Sequence, residues 1–191
     1  MTWNRYLKSL ESISNKFFKK EKLFDIILYG SAVKGKDEPR DIDIVLIFLD
    51  KELRERLDIA QQFKKDLPKE LKFDVQTMNV SDLFDSSYFA RQGILIEGYS
   101  LVSGRKFSDK FGFKGYSLFS YNLSNLNHNQ KILFTYSLSG RGKEEGMIKK
   151  VNGKSVGRGA FLIPIESSLM FEEFLEKWKL KYSKRNMLVA Q

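Results

Sequence analysis

The stretch YGSAVKGKDEPRDIDIVLIFL, residues 29–49, decides the fold of the first half of the chain. It starts where the apolar run Leu23 to Tyr29 ends, and such a run predicts a buried strand that stops at Gly30. It ends in a second apolar run, Ile42 to Leu49, whose β-branched residues predict another strand. A Gly-Ser pair and a charged loop therefore connect two predicted strands.

Acidic side chains lie at the start of the second of these strands. Because side chains alternate along a strand, Asp41 and Asp43 are expected on the same face. A third carboxylate, Asp74, interrupts the apolar residues of LKFDVQT, residues 71–77, which predicts a third strand. Neighbouring carboxylates repel each other, and Mg²⁺ or Mn²⁺ bound by their oxygens relieves that repulsion. A solvated strand end is the alternative for an isolated Asp-x-Asp.

The loop after the first strand carries groups that bind phosphate. Gly30 and Ser31 offer backbone N–H groups and a hydroxyl to an anion. The cations that follow would neutralise phosphate charge or simply keep the loop solvated, and they are Lys34, Lys36 and Arg40.

In this order, Gly30-Ser31, nine residues, Asp41-x-Asp43 and then Asp74 resemble the nucleotidyltransferase superfamily that includes DNA polymerase beta, and above all its small, minimal members. The resemblance covers residues 20–105. It implies an α/β (α+β) fold, a mixed sheet with its helices on one side. It also implies two-metal transfer of a nucleoside monophosphate from an NTP, with ATP the expected donor and pyrophosphate the leaving group.

The resemblance assigns a role to each site residue. Asp41 and Asp43 would bind both metal ions, whereas Asp74 would bind only the ion that activates the acceptor hydroxyl. Gly30 and Ser31 would hold the β- and γ-phosphates, together with the three loop cations.

Helices are predicted around these strands. Thr2 is a possible N-cap for a first helix from Trp3 to Phe18, and a second helical stripe runs from Leu53 to Leu67. A third helix is predicted from Ser81 to the stop at Gly98. The first domain is therefore expected over residues 1–107, and a second one over residues 112–191.

The second domain is predicted to be a small basic α/β module. Strands are predicted at residues 115–123 and 159–165, and helices at residues 143–151 and 167–178. Residues 131–138 fit either a strand or a helix. Residues 111–191 hold 13 Lys and Arg against 6 Asp and Glu, whereas residues 1–110 hold 20 against 18.

This basic charge predicts a polyanionic partner, with RNA first. Six of the thirteen glycines and six cations lie in residues 140–159, where flexible backbone and counterion release favour nucleic-acid binding. A solvated loop is the alternative. The predicted contacts are Arg141, Lys143, Lys149, Lys150, Lys154 and Arg158. Five aromatic side chains could stack on bases or fill the core: Tyr116, Phe119, Tyr121, Phe134 and Tyr136.

Composition narrows the function further. The chain has no Cys and one His, which excludes disulfides, thiolate metal sites and a multi-histidine site within one chain. No apolar run of about 18 residues is present, so a cytoplasmic protein without a membrane span is expected.

Three acceptors fit the resemblance. The first is a hydroxyl of RNA, such as a tRNA 3′ end. The alternative is a protein hydroxyl, modified with AMP by the antitoxin of a toxin–antitoxin pair whose toxin is a separate protein partner. An aminoglycoside is third, because a polycationic drug does not suit a basic second half.

Overall fold

The computed structural model describes residues 6–34, 40–88 and 90–191. The chain divides into two compact units, Met1–Phe113 and Lys114–Gln191. In the described part of the chain, none of the helices has the length and apolar character needed to cross a membrane.

A five-stranded mixed sheet forms the centre of the first unit as described. Its strand order is β3-β2-β1-β4-β5. β2 pairs antiparallel with β1 and parallel with β3, and β4 pairs antiparallel with β1 and β5. The predicted mixed sheet flanked by helices is confirmed. The strands are β1 (Leu23–Tyr29), β2 (Ile42–Phe48), β3 (Phe73–Asn79), β4 (Tyr99–Ser100) and β5 (Arg105–Lys106).

Helices cover both faces of this sheet. Helix α1 (Leu7–Glu21) and helix α2 (Leu53–Asp66) pack on one face, where Phe17 meets Phe63 edge to face at 5.2 Å. Helix α3 (Arg91–Glu97) packs on the opposite face through Ile94. The expectation of helices on one side is therefore wrong, because β1 and β2 carry apolar side chains on both faces and each face needs a cover.

The helix predicted from Ser81 to Gly98 is interrupted. A 3₁₀ turn covers Val80–Leu83, and α3 starts only at Arg91. Side-chain carboxylates accept hydrogen bonds from backbone N–H groups around this interruption. Asp82 accepts from the Asn79 N–H and Asp85 accepts from the Ser87 N–H, both at 2.8 Å. Of the residues predicted for this helix, Phe89 lies outside the described residues. So do Thr2 and Trp3, predicted to start the first helix.

The second unit builds a separate four-stranded sheet with the order β11-β6-β10-β9. Its strands are β6 (Phe113–Tyr121), β9 (Lys154–Gly157), β10 (Ala160–Pro164) and β11 (Tyr182–Ala190), and a small hairpin adds β7 (Gly140–Arg141) and β8 (Glu144–Glu145). Residues 128–139 form helix α4, which settles the open choice at residues 131–138. Asn127 and Gln130 cap its first turn reciprocally.

Two further helices complete this unit as described. Helix α6 (Ser168–Lys177) lies close to its predicted bounds. The helix predicted at residues 143–151 shrinks to α5 (Met147–Lys150), because Glu144 and Glu145 pair with β7 instead. Phe119 and Phe134 are buried in the core between the sheet and the helices. They are core residues, so neither offers a stacking surface for bases.

Candidate active site

Register pairing in the first sheet brings Asp43 and Asp74 side by side. Asp43 of β2 is the partner of Asp74 in the parallel neighbour β3, and of Tyr29 in the antiparallel neighbour β1. Partners in adjacent strands point to the same face of a sheet. The two carboxylates therefore share one face, next to the point where β1 turns into the Gly-Ser loop.

Gly30 lets this loop pass directly over Asp43. Its φ is +77°, and a Cβ built on it would lie 2.2 Å from the Oδ2 atom of Asp43. No side chain fits at that distance. Ser31 follows in the turn, and a 3₁₀ segment, Ala32–Lys34, begins where the Lys34 N–H donates to the Ser31 carbonyl at 3.3 Å. The predicted phosphate-binding pair thus borders the carboxylates.

We expect Gly30→Ala to impair the site more than it impairs the fold. Left-handed backbone costs an alanine about 1 kcal/mol of folding stability, and the new methyl group must also displace the Asp43 carboxylate. Transfer is therefore expected to fall at least about tenfold, which is about 1.4 kcal/mol in the barrier. Melting temperature and initial rate, measured on the same sample, separate the two effects.

Gly112→Ala is the matched control for this prediction. Gly112 has nearly the same backbone, with φ +75°, and nothing lies within 4 Å of a Cβ placed on it. It should show the loss of stability and keep the transfer rate. Equal rates for the two variants would mean that contact with Asp43 is irrelevant to activity.

The charges at this site repel one another. Burial raises the pKa of Asp43, and the neighbouring carboxylates Asp41 and Asp74 raise it further, while Lys34 lowers it. Burial also raises the pKa of Tyr29, and Asp43 and Asp74 add to that shift. A bound cation would relieve this repulsion, and carboxylate oxygens are the ligands that Mg²⁺ and Mn²⁺ prefer. The residues present therefore fit a divalent ion.

Asp41 lies just outside β2 and has a lysine partner. It precedes β2, its side chain is 41% exposed, and its Oδ2 lies 3.6 Å from the Nζ of Lys72. Asp74 accepts a hydrogen bond from the side chain of Gln76 at 3.2 Å. In residues 6–34, 40–88 and 90–191, no three acidic, His or Cys side chains already form a group that could hold a metal. That Asp41, Asp43 and Asp74 together bind two metal ions stays a prediction.

The loop cations differ in what the structure shows of them. Lys34 is three-quarters buried and pairs with Glu97 at 3.0 Å. Arg40 is exposed just before Asp41. Lys36 lies outside the described residues. Of the two loop cations in the described residues, Lys34 is the one whose charge lowers the pKa of Asp43.

Comparison with known families identifies this first unit. The family model described as "Polymerase beta, Nucleotidyltransferase" matches residues 11–100. These residues match a nucleotidyltransferase domain. The resemblance predicted from Gly30-Ser31 and the three aspartates is thereby confirmed. The match ends before the second unit begins.

Two solved structures are similar to about half of the chain. One is the crystal structure of a toxin–antitoxin with AMP-PNP, 25% identical, and another is a mutant of the toxin–antitoxin MntA–HpeT, 22% identical. Each alignment covers 53% of this chain and 78% of that chain, with a TM-score of 0.38. No curated protein matches the sequence.

The nucleotidyltransferase domain contains a further charged residue that the sequence analysis did not single out. Glu97 lies at the end of α3, is 5% exposed, and pairs with Lys34. The signal was present in the sequence, because an acid that ends the apolar stretch ILIE, residues 94–97, needs a partner once that helix packs on a sheet.

The six predicted nucleic-acid contacts lie in the second unit, and all six are exposed. Two of them have partners within the unit. Arg141 lies over the ring of Tyr136 at 4.7 Å, and Lys149 pairs with Glu145 at 2.6 Å. The segment that carries them includes the β7–β8 hairpin, α5 and β9, so it is more ordered than the predicted loop.

Proposed function

We propose that the nucleotidyltransferase domain transfers a nucleoside monophosphate from an NTP, ATP first, to a hydroxyl acceptor. The new bond joins the acceptor oxygen to the α-phosphorus, and the bond to pyrophosphate breaks. The observation that supports this most is the register pairing of Asp43 with Asp74 beside Gly30. Two carboxylates and the Gly-Ser turn therefore lie at one end of the sheet, which supports roles for them in binding metal and phosphate.

Each residue of the site has a role in the proposed reaction. Asp41, Asp43 and Asp74 would hold two divalent ions, Mg²⁺ or Mn²⁺, which supply positive charge to the attacking and leaving oxygens. The Gly30 backbone and the Ser31 hydroxyl would donate hydrogen bonds to the β- and γ-phosphates. Lys34 would balance phosphate charge from the partly buried side of the site, and Arg40 and Lys36 would do so from the loop.

One experiment tests both the activity and the acceptor. The purified full chain is incubated with each NTP labelled at the α-phosphate, Mg²⁺ or Mn²⁺, and either total RNA or a cell lysate. Label that depends on the divalent ion supports the proposal. Absence of label together with absence of nucleotide binding would overturn it.

RNA is the acceptor that we propose first, and the exposed cations of the second unit are the observation that favours it. The comparisons with known proteins lend it no support. Backbone phosphates attract such cations because binding releases counterions. Label in a protein band instead of RNA would establish the alternative, a protein adenylyltransferase with a toxin as partner.

Neutralising Lys149, Lys150, Lys154 and Arg158 to glutamine should weaken RNA binding. The slope of log K against log salt should become shallower by roughly 0.7–0.9 for every phosphate group that the variant no longer neutralises. Binding isotherms at four salt concentrations measure both quantities. Affinity for nucleotide alone should be unchanged, because the proposed nucleotide site is made of residues from the first unit.

A second variant, which loses the same number of positive charges elsewhere in the second unit, shows how much of the effect is due to net charge alone. Lys114, Lys131, Lys177 and Lys181 are also exposed in the second unit and lie outside the segment. Their replacement by glutamine should leave most of the affinity and of the salt slope. If both variants behave alike, or neither changes binding, residues 141–158 are not a specific contact surface.

A further inference from the structure

A buried carboxylate pairs with the ammonium group of a lysine in the Gly-Ser loop. The Oε1 atom of Glu97 lies 3.0 Å from the Nζ of Lys34, and the two side chains are 7% and 25% exposed. Lys34 belongs to the Gly-Ser loop, whereas Glu97 belongs to α3. The ion pair thus ties the loop to a helix on the sheet face that Tyr29 shares.

Glu97 lies near Gly93 and the ring of Tyr29. Its other oxygen, Oε2, lies 3.9 Å from a Cβ placed on Gly93, and that same position is 3.9 Å from the ring of Tyr29. Tyr29 is the register partner of Asp43. Glu97 and Tyr29 therefore both lie close to Gly93, and Tyr29 shares its sheet face with Asp43.

We propose that Glu97 is a positioning residue, which holds Lys34 so that its ammonium group meets the β- and γ-phosphates of the bound nucleotide. This inference rests on the proposed function. Lysine has three N–H donors, so that Lys34 can bond Glu97 and a phosphate oxygen together. The effect of Lys34 on the pKa of Asp43 agrees with an ammonium group close to that carboxylate.

Positioning, rather than net charge, is what such a pair contributes. A free lysine side chain loses rotamer entropy when it binds, and Glu97 has already ordered Lys34 in the folded protein. The pair is electrically neutral, so it attracts phosphate at short range only. A triphosphate should therefore be affected by Glu97, whereas a monophosphate, which lacks the β- and γ-phosphates, should not.

Four proteins test this inference in a double-mutant cycle: wild type, Glu97→Gln, Lys34→Met and the double variant. The Kd for AMP-PNP in the presence of Mg²⁺ is measured by calorimetry, and the Kd for AMP serves as the reference ligand. We expect Glu97→Gln to weaken AMP-PNP binding about tenfold in wild type and less than twofold in the Lys34→Met background. Binding of AMP should be the same in all four proteins.

A purely structural role for Glu97 would give a different pattern. It would lower the melting temperature and weaken AMP and AMP-PNP binding alike, and it would do so in both backgrounds. Glu55→Gln is the matched control, since Glu55 pairs with Lys51 at 3.4 Å on the exposed face of α2. That variant should leave both Kd values unchanged.

Failure of this inference is distinguishable from failure of the proposed function. Equal effects of Glu97→Gln in the two backgrounds, or no effect at all, would overturn the positioning role, while wild type still binds AMP-PNP and transfers label. A wild-type protein that binds neither nucleotide would overturn the nucleotide site itself, and the role of Glu97 with it.

Discussion

Asp43→Asn is expected to reduce the rate of transfer at least about a thousandfold. The variant loses several kcal/mol of electrostatic stabilisation of the transition state, and every increase of about 1.4 kcal/mol in the barrier slows the reaction tenfold. Asparagine has the shape of aspartate without its charge. The substitution thus removes a proposed metal ligand without leaving a cavity. Initial rates with α-labelled ATP, at saturating Mg²⁺, measure the loss.

The same substitution should not destabilise the fold at neutral pH. Burial, Asp41 and Asp74 raise the pKa of Asp43, so the folded protein holds a proton there more tightly than the unfolded chain does. The stability associated with that proton is present at low pH and is lost as pH rises through the folded pKa. Because asparagine cannot ionise, Asp43→Asn should be at least as stable as wild type at pH 7, and this advantage should vanish in acid.

Mg²⁺ gives an independent measure of the same role. An ion that binds only the folded state raises its melting temperature. Wild type should gain stability with Mg²⁺, and Asp43→Asn should gain much less. Asp50→Asn is the matched control, since Asp50 is exposed just beyond the other end of β2. An Asp43→Asn protein that keeps a tenth of the activity would remove Asp43 from the proposed metal site.

The positions of the central strands follow from local sequence patterns. β1, β2 and β3 lie close to their predicted positions, and the buried strands β1 and β2 carry apolar residues on both faces. The helices that cover the sheet could not be predicted fully. Whether residues 81–98 form one helix depends on side-chain hydrogen bonds at Asp82 and Asp85, which compete locally with helix formation and leave no mark on the apolar period.

The candidate site was predictable as far as its residues share a strand or a loop. Alternation along one strand suggested Asp41 and Asp43, but only the parallel pairing of β2 with β3 puts Asp74 opposite Asp43. Glu97 is 63 residues from Lys34 along the chain. Contacts over such separations depend on tertiary packing, so the sequence indicates that Glu97 needs a partner but does not identify Lys34 as that partner.

A second large effect is expected from an ion pair that the sequence analysis did not predict. Asp25 lies within β1, is fully buried, and pairs with Lys110. Its Oδ1 atom also accepts hydrogen bonds from the Ser100 hydroxyl at 2.7 Å and from the Ile26 N–H at 2.8 Å. The network ties the residues that follow β5 to the centre of the sheet. Removing the cation would leave a buried carboxylate without its counter-charge.

Lys110→Met should therefore destabilise the first unit by about 3 kcal/mol, since breaking a buried pair on one side costs several kcal/mol. Methionine keeps most of the apolar stem of the lysine side chain but removes the ammonium group that lies over the rings of Phe24 and Phe107. For a unit of this size the melting temperature should fall by roughly 10–20 °C. Thermal and urea unfolding of the full chain, followed by circular dichroism, measure the change.

Two further variants decide whether the buried charge is the cause. Asp25→Asn combined with Lys110→Met removes both charges, keeps an oxygen for Ser100 and Ile26 to donate to, and should be more stable than Lys110→Met alone. Lys20→Met is the exposed counterpart, because Lys20 pairs with Glu21 at 3.2 Å and lies over the Phe17 ring at 5.9 Å with 66% of its side chain exposed. That exposed pair should contribute less than about 1 kcal/mol. A double variant no more stable than Lys110→Met would show that poorer packing around residue 110, and not an uncompensated Asp25, destabilises the sheet.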